Sequence, residues 1–306
     1  MAITPQDLVS EVSDKIGKFT NELPNLSNDA FKSIQSLLKE LKVDASGNIK
    51  VSVENLRLIN KIQLKFENNI LTDSYLSQVD DLKTSFNDIT ELQTKYFNNV
   101  FTDFAAPEVI AELENISINS TIGSLSESAI NENIVKGVTD LLEQNITSGA
   151  NFMDLQDSLK EFIIGNDKID SKLASYSKQI LTDSMSQYTA NYQKIVTDDL
   201  GLKWYQYVGP LVTSSRPLCD SLVKKRYVHK SELGEISRGI VDGKNVGKAG
   251  MISGTNASNF QVYRGGYNCN HLLTPISERA VPKEIRIELY KKENIKYDAN
   301  GLAINQ

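Results

Sequence analysis

Over residues 1–200 apolar side chains return at the three-and-four spacing of an amphipathic helix, and past Gly201 that rhythm stops. Phe31, Ile34, Leu38 and Leu41 form one stripe; Leu56, Ile59, Gln63, Phe66 and Ile70 form a second with one polar break. The third is the most regular, because Tyr75, Val79, Leu82, Phe86, Ile89, Gln93 and Tyr96 step alternately by four and three. A seam this narrow must be covered by another helix. An intrachain helical hairpin is one way to cover it, and self-association through a coiled coil is the other. At 306 residues the chain exceeds one comfortable core, so more than one domain is expected.

Breaks between the stripes follow the turn-forming residues. Asp44-Ala-Ser-Gly-Asn48 predicts a loop or tight hairpin, and Pro107 interrupts helix at Ala105-Ala-Pro107. The Asn-, Ser- and Thr-rich stretch from Asn115 to Gly123 is the best boundary candidate. Ser124 and Glu127 then offer a capping box. Asn151 is read as the cap of a helix with Phe152, Leu155, Leu159 and Phe162 on its buried face, ending at Gly165. A longer helix is expected from Ser171 to Leu200. Beyond it, Lys203-Trp-Tyr-Gln-Tyr-Val208 suits a strand, Gly239 to Asn259 a long loop or glycine-rich hairpin, and Ile285 to Tyr290 one more strand. The fold class expected is α+β, a predominantly helical N-terminal region followed by a small α+β C-terminal module.

Charge divides in the same place. Residues 201–306 carry a balance of +7 and residues 1–200 a balance of −13, within a net charge of −6. Such asymmetry suggests two regions with different partners. The basic cluster Lys224, Lys225, Arg226 and Lys230 is either a solvated face or a contact for DNA or an acidic partner, with Tyr207 and Tyr227 able to stack on single strands. The N-terminus has neither the basic nor the apolar stretch of a signal peptide, and no apolar run has the length of a membrane span, so no membrane anchor is expected.

Every cysteine and histidine lies between Cys219 and His271. The residues are Cys219, His229, Cys269 and His271, types that bind soft metals, form disulfides or act as nucleophile and base. Three readings stand side by side: zinc held by Cys219, Cys269 and His271 with His229 as fourth ligand, a Cys219–Cys269 disulfide, or two buried thiols packed together. No cofactor is required by the sequence, and zinc is the one it accommodates. A Cys219 nucleophile with His229 or His271 as base and Asp220 to orient it lacks any recognised protease signature, and Asn268, Asn270 and His271 lack the carboxylates of a metal-dependent nuclease. The chain is therefore expected not to be an enzyme. Gly243-Lys-Asn-Val-Gly-Lys248 fails as a phosphate loop in both glycine spacing and context.

The same window carries the most distinctive text. Tyr207-Val-Gly209-Pro210 is followed by Ser215-Arg216-Pro217-Leu-Cys219, and the window closes with Gly265-Gly266-Tyr267-Asn268-Cys269-Asn-His271 and Pro275. Over roughly 150–278 this resembles the Mu F-type head morphogenesis family, the minor head proteins of tailed phages. Members show a YVG-type strand, a T/S-R-P-x-C segment, and a closing N-C-R-H or C-R-C before a proline. Asn270 stands where the closing motif usually carries arginine, and Arg264 or Arg216 can supply the missing cation. The resemblance implies a minor capsid protein acting at the portal vertex, with portal protein, scaffold or major capsid protein as partners and packaged DNA as a further contact. It would be made in the host cytoplasm and then reside in the virion head. On this basis the segments read as a helical region over 1–118, the helical part of the head morphogenesis domain over 119–200, its Cys/His module over 201–280 and an extension over 281–306. The alternatives kept open are a prophage-associated nuclease or toxin-like effector and a free-standing DNA-binding protein.

Overall fold

The computed structural model describes residues 3–101 and 104–304. It is α+β as expected, helical through the N-terminal two thirds, with small antiparallel sheets confined to the C-terminal half. Contacts gather the chain into two compact units that are not contiguous in sequence. One comprises Asp14–Ser85 with Ile118–Leu181; the other comprises Met1–Ser13, Phe86–Ser117 and Thr182–Gln306. The consecutive segments expected from sequence are therefore not the compact pieces of this chain.

The first unit is helical apart from short turns, bridges and the small antiparallel hairpin Gly165–Asn166 with Ile169–Asp170. Helices Leu23–Leu38 and Val53–Ile70 pack together, as do Lys136–Ser148 and Phe152–Ile163. Gly137 lets the last two approach, since a Cβ there would meet the Phe162 ring at 2.5 Å. Phe31, Ile34, Leu38 and Leu41 are buried as their spacing predicts. The second stripe is rotated from its expectation. Leu56 is exposed, and the buried face is Asn55, Leu58, Ile59, Ile62, Phe66 and Ile70. A fully buried Asn55 is tolerated because its amide accepts from Lys42 N–H and donates to the carbonyls of Lys42 and Lys50. Those bonds staple the Asp44–Asn48 turn, where Asp44 accepts from the backbone of Ser46 and Asn48, to the following helix. Asn151 caps Phe152–Ile163 by accepting from Met153 N–H.

Three further expectations are corrected. Residues 115–123 are not a boundary loop but lie inside helix Val109–Leu125, where Ile118, Thr121 and Leu125 supply a buried face at three-and-four spacing. Tertiary burial overrides the weak propensity of Asn, Ser and Thr there. The cap of the next helical turn is Ser126, which accepts from Ala129 N–H, while the Ser124 hydroxyl donates to Ser120 O within its own helix. The third seam is buried along its length, but Asp81 divides it into Asp73–Asp80 and Leu82–Val100.

In the second unit the strand Trp204–Val208 is central, flanked antiparallel by Tyr227–His229 and Leu272–Ile276. Alternation along this strand makes two cores. Tyr205 and Tyr207 enter a cluster with Leu218, Leu222, Val228, Phe260 and Leu273. Trp204 points the other way, among Ile276, Val281, Leu289 and Tyr290. Pro275 sits on an edge strand, where its missing N–H leaves no ladder bond unmade, and its carbonyl accepts from the Tyr96 hydroxyl at 2.8 Å. The strand expected over 285–290 is instead a helix, Lys283–Lys292, which follows Pro282 and buries Arg286, Leu289 and Tyr290. Ile285, exposed, and Ile287, half-buried, gave the misleading alternation. The Gly239–Asn259 stretch contains the predicted small hairpin, Ile240–Val241 with Lys244–Asn245.

The corrected helix yields a test. Proline at exposed position 120 removes a helical N–H and clashes with the preceding turn, so Ser120→Pro should lower unfolding free energy in urea by about 3 kcal/mol. A change of a few tenths would mean the stretch behaves as a linker after all.

Candidate functional site

Three separated pieces of backbone bring the site together. Pro217 starts helix Pro217–Lys225 at its first turn, where a missing N–H costs nothing, and this places Cys219 one turn in with its side chain buried. The central strand contributes Tyr207. The loop after Phe260–Tyr263 returns through Gly265, Gly266, Tyr267 and Asn268 to deliver Cys269 and then His271, which enters the edge strand.

Close backbone approach requires two of the glycines. At Gly209, with φ +148°, a Cβ would lie 2.7 Å from the His271 ring and 2.8 Å from Asn270 O. At Gly265 a Cβ would lie 2.7 Å from Cys219 Sγ and 2.9 Å from Cys269 Sγ. Gly266 turns the chain at φ +91°, and Asn268 continues it at φ +56°. The Asn268 N–H donates to the Asp183 carboxylate at 2.8 Å. Pro210 and Tyr267 are exposed, Ser215 accepts from Val212 N–H at 2.9 Å, and Arg216 reaches across to the closing loop. Its guanidinium donates to Gly265 O and, at 2.7 Å, to Tyr267 O. Arg264, almost fully buried, points instead at Ser186 O, 3.4 Å away.

Cys219, Cys269 and His271 converge, their ligand atoms all within 4.8 Å of one another. Both cysteines are free thiols and all three residues are buried. The Cys269 sulfur is 3.7 Å from His271 Nδ1. The Tyr207 hydroxyl lies 3.4 Å from Cys219 Sγ and 4.0 Å from Cys269 Sγ, and its ring stacks on His271 at 5.3 Å. A hydrogen bond from Cys219 pulls the Cys269 thiol well below its usual range, against burial and with help from His271 and Arg264. The same bond, together with burial, pushes Cys219 up.

His229 does not join this group. It lies opposite Trp204 in the sheet, and its ring is 4.9 Å from the indole, in the other core. Its Nδ1 accepts from Ser231 N–H while Glu232 accepts from His229 N–H, a capping box for the short turn Lys230–Glu232. Burial, reinforced by Lys203, lowers its pKa to about 4. The expectation of His229 as a fourth ligand is thus corrected. Its register on the central strand sends the side chain to the Trp204 face, whereas Tyr207 faces the thiols.

Three of the four cations of the basic cluster have acidic neighbours within the fold. Lys224 pairs with Asp220 at 2.6 Å, Lys230 lies 3.6 Å from Asp198, and Lys225 binds both Glu232 at 3.0 Å and Asp242. Burial pulls the Lys225 pKa down, but Asp242 and Glu232 outweigh it and hold the group above its ordinary value. Arg226, at φ +66°, lies over the Tyr227 ring. These cations are matched by neighbours within the fold, and the buried Tyr207 has no face to offer a base. Sequence reasoning missed Asp183 and the role of Gly265. Asp183 carries no local signal, being one carboxylate on a long helix, whereas the paired glycines before Cys269 announced a tight approach.

Two measurements follow. Arg216→Ala leaves the buried Gly265 carbonyl without its charged donor and should cost roughly 2–3 kcal/mol in denaturant unfolding. Arg216→Lys should recover only part of this, because an ammonium lacks the planar fork. For His229, the unfolded chain takes up its proton near pH 6.5 while the fold resists until about 4, so stability is intact above that window and falls as pH drops through it. His229→Gln should remove roughly 2–3 kcal/mol of that acid loss, read as the difference between the two proteins' stability-versus-pH curves. Parallel curves would show that His229 is solvated.

No protein-family model, curated protein or solved structure matches this chain.

Proposed function

We propose that this protein is a minor head protein of a tailed phage or prophage, acting in head morphogenesis at the portal vertex. One observation carries the reading beyond the resemblance itself. The segments that hold the resemblance, Tyr207–Gly209, Ser215–Cys219 and Gly265–His271, meet around the buried Tyr207, Cys219, Cys269 and His271, where Arg216 clasps the closing loop and Gly209 and Gly265 admit their neighbours at close range. A motif whose residues bind one another supports a role in building a module that docks, not in transforming a substrate. On this reading Cys219, Cys269 and His271 hold the module together, and no residue is assigned catalysis.

The partner favoured is a protein of the portal, scaffold or shell. DNA is the weaker candidate because Lys224, Lys225 and Lys230 already face Asp220, Glu232, Asp242 and Asp198. No helix among the described residues is long and apolar enough to cross a membrane.

The test is quantitative mass spectrometry of procapsids and mature heads assembled from the genome that encodes this chain. A low, fixed ratio to the major capsid protein is expected. Absence from both particles would overturn the proposal, and metal-dependent DNA cleavage lost in His271→Ala would replace it with the nuclease reading.

A further inference from the structure

We propose that Cys219, Cys269 and His271 bind one thiophilic d10 cation, zinc by class, which clamps the closing loop to helix Pro217–Lys225. The inference does not depend on the proposed function.

The geometry argues for it first. Zinc–sulfur bonds of about 2.3 Å and zinc–nitrogen bonds of about 2.0–2.1 Å at tetrahedral angles set sulfur and nitrogen about 3.6 Å apart. The Cys269 sulfur and His271 Nδ1 are 3.7 Å apart, and the three ligand atoms fall within 4.8 Å of one another. The Cys269–His271 pair is thus at coordination spacing, and the Cys219 sulfur lies within 4.8 Å of both ligand atoms. The Tyr207 hydroxyl, 3.4 and 4.0 Å from the two sulfurs, closes a fourth side at a similar edge length.

The surroundings argue for it second. His271 is 95% buried by its 5% exposure, yet its Nε2 has no hydrogen-bond partner. A buried ring nitrogen left unmatched is costly when nothing else fixes the ring's orientation. Coordination through Nδ1 would fix the ring's orientation, with Nε2 on the side away from the metal. Arg264 lies buried beside Cys269 with its Nε also unmatched, a donor available to a thiolate ligand. Gly265 lies against both sulfurs, and any side chain there would fill the space between them. Arg216 then holds the Gly265 carbonyl from outside.

Coordination requires both thiols to be deprotonated, and their protons pass to solvent as the metal enters. The rival use of the same proximity is a Cys219–Cys269 disulfide, which places two sulfurs at bonding distance and leaves His271 without a role.

The experiment uses the untagged full chain, purified without chelator from zinc-supplied medium. About one zinc per chain is expected by elemental analysis, released by a mercurial titrant in proportion to thiols blocked. Cobalt exchanged into the protein should give the sulfur-to-cobalt charge-transfer band and the intense visible bands of a tetrahedral site. His271→Ala should lose most of the metal, whereas His229→Ala should keep it. Should His271→Ala fail to fold, the cobalt spectrum of the unaltered chain decides. Zinc well below one equivalent with both thiols titratable in the folded protein would overturn the proposal. So would an intact mass two hydrogens short, the signature of the disulfide, and so would equal metal loss in the two histidine variants.

Discussion

The alternation of five residues along Trp204–Val208 is the constraint on which the C-terminal module depends. A strand has two faces, and here both are buried, so each side chain must find a different core. Tyr207 goes to the thiols and Trp204 to Tyr290, whose hydroxyl accepts from the indole N–H at 2.9 Å and donates to Glu278 at 2.5 Å. A slip of one residue would exchange the two sets and place a phenol where an indole fits. The flanking strands inherit this choice. His229 opposite Trp204 and Leu273 opposite Tyr207 are assigned to their cores by register, not by their own chemistry.

That inheritance explains what the sequence made legible. Periodicity identified the helical stripes and the central strand because burial selects residues every three to four or every two positions. Asn151 was readable as a cap because its bond is local. His229 was not readable, because its proximity to Cys219 in sequence says nothing about which face of a sheet it meets. The stretch 115–123 and the segment 285–290 failed for a related reason. Polar composition hid a helix that over this stretch buries Ile118 and Thr121, and alternating isoleucines imitated a strand on the outer surface of a helix. In the candidate site, the meeting of Cys219, Cys269 and His271 was one reading of their residue types and of the family resemblance, whereas the packing of Gly265 on both sulfurs appears only when the backbone is closed.

The site and its scaffold divide the work of holding the loop. Arg216 reaches the loop's carbonyls from the helix start, Asp183 accepts its N–H at Asn268, and the Cys/His group anchors its end. The first two grip different backbone groups of one short segment, and the third holds its side chains. A loop fixed at three points has little conformational freedom left to lose when a partner binds against it, so docking on this segment would not carry the ordering cost of a mobile one.

The hydrogen bond from Tyr96 to Pro275 spans 179 residues of chain. Closing so long a loop delays the contact until nearly everything between its ends has been synthesised, and the same holds for every pairing between Phe86–Ser117 and the C-terminal strands. The seam carried by Phe86, Ile89 and Tyr96 therefore leaves the ribosome before the chain that will bury it. For that interval the nascent protein presents an apolar stripe whose Phe86 end waits for Tyr188 and whose Tyr96 end waits for Pro275.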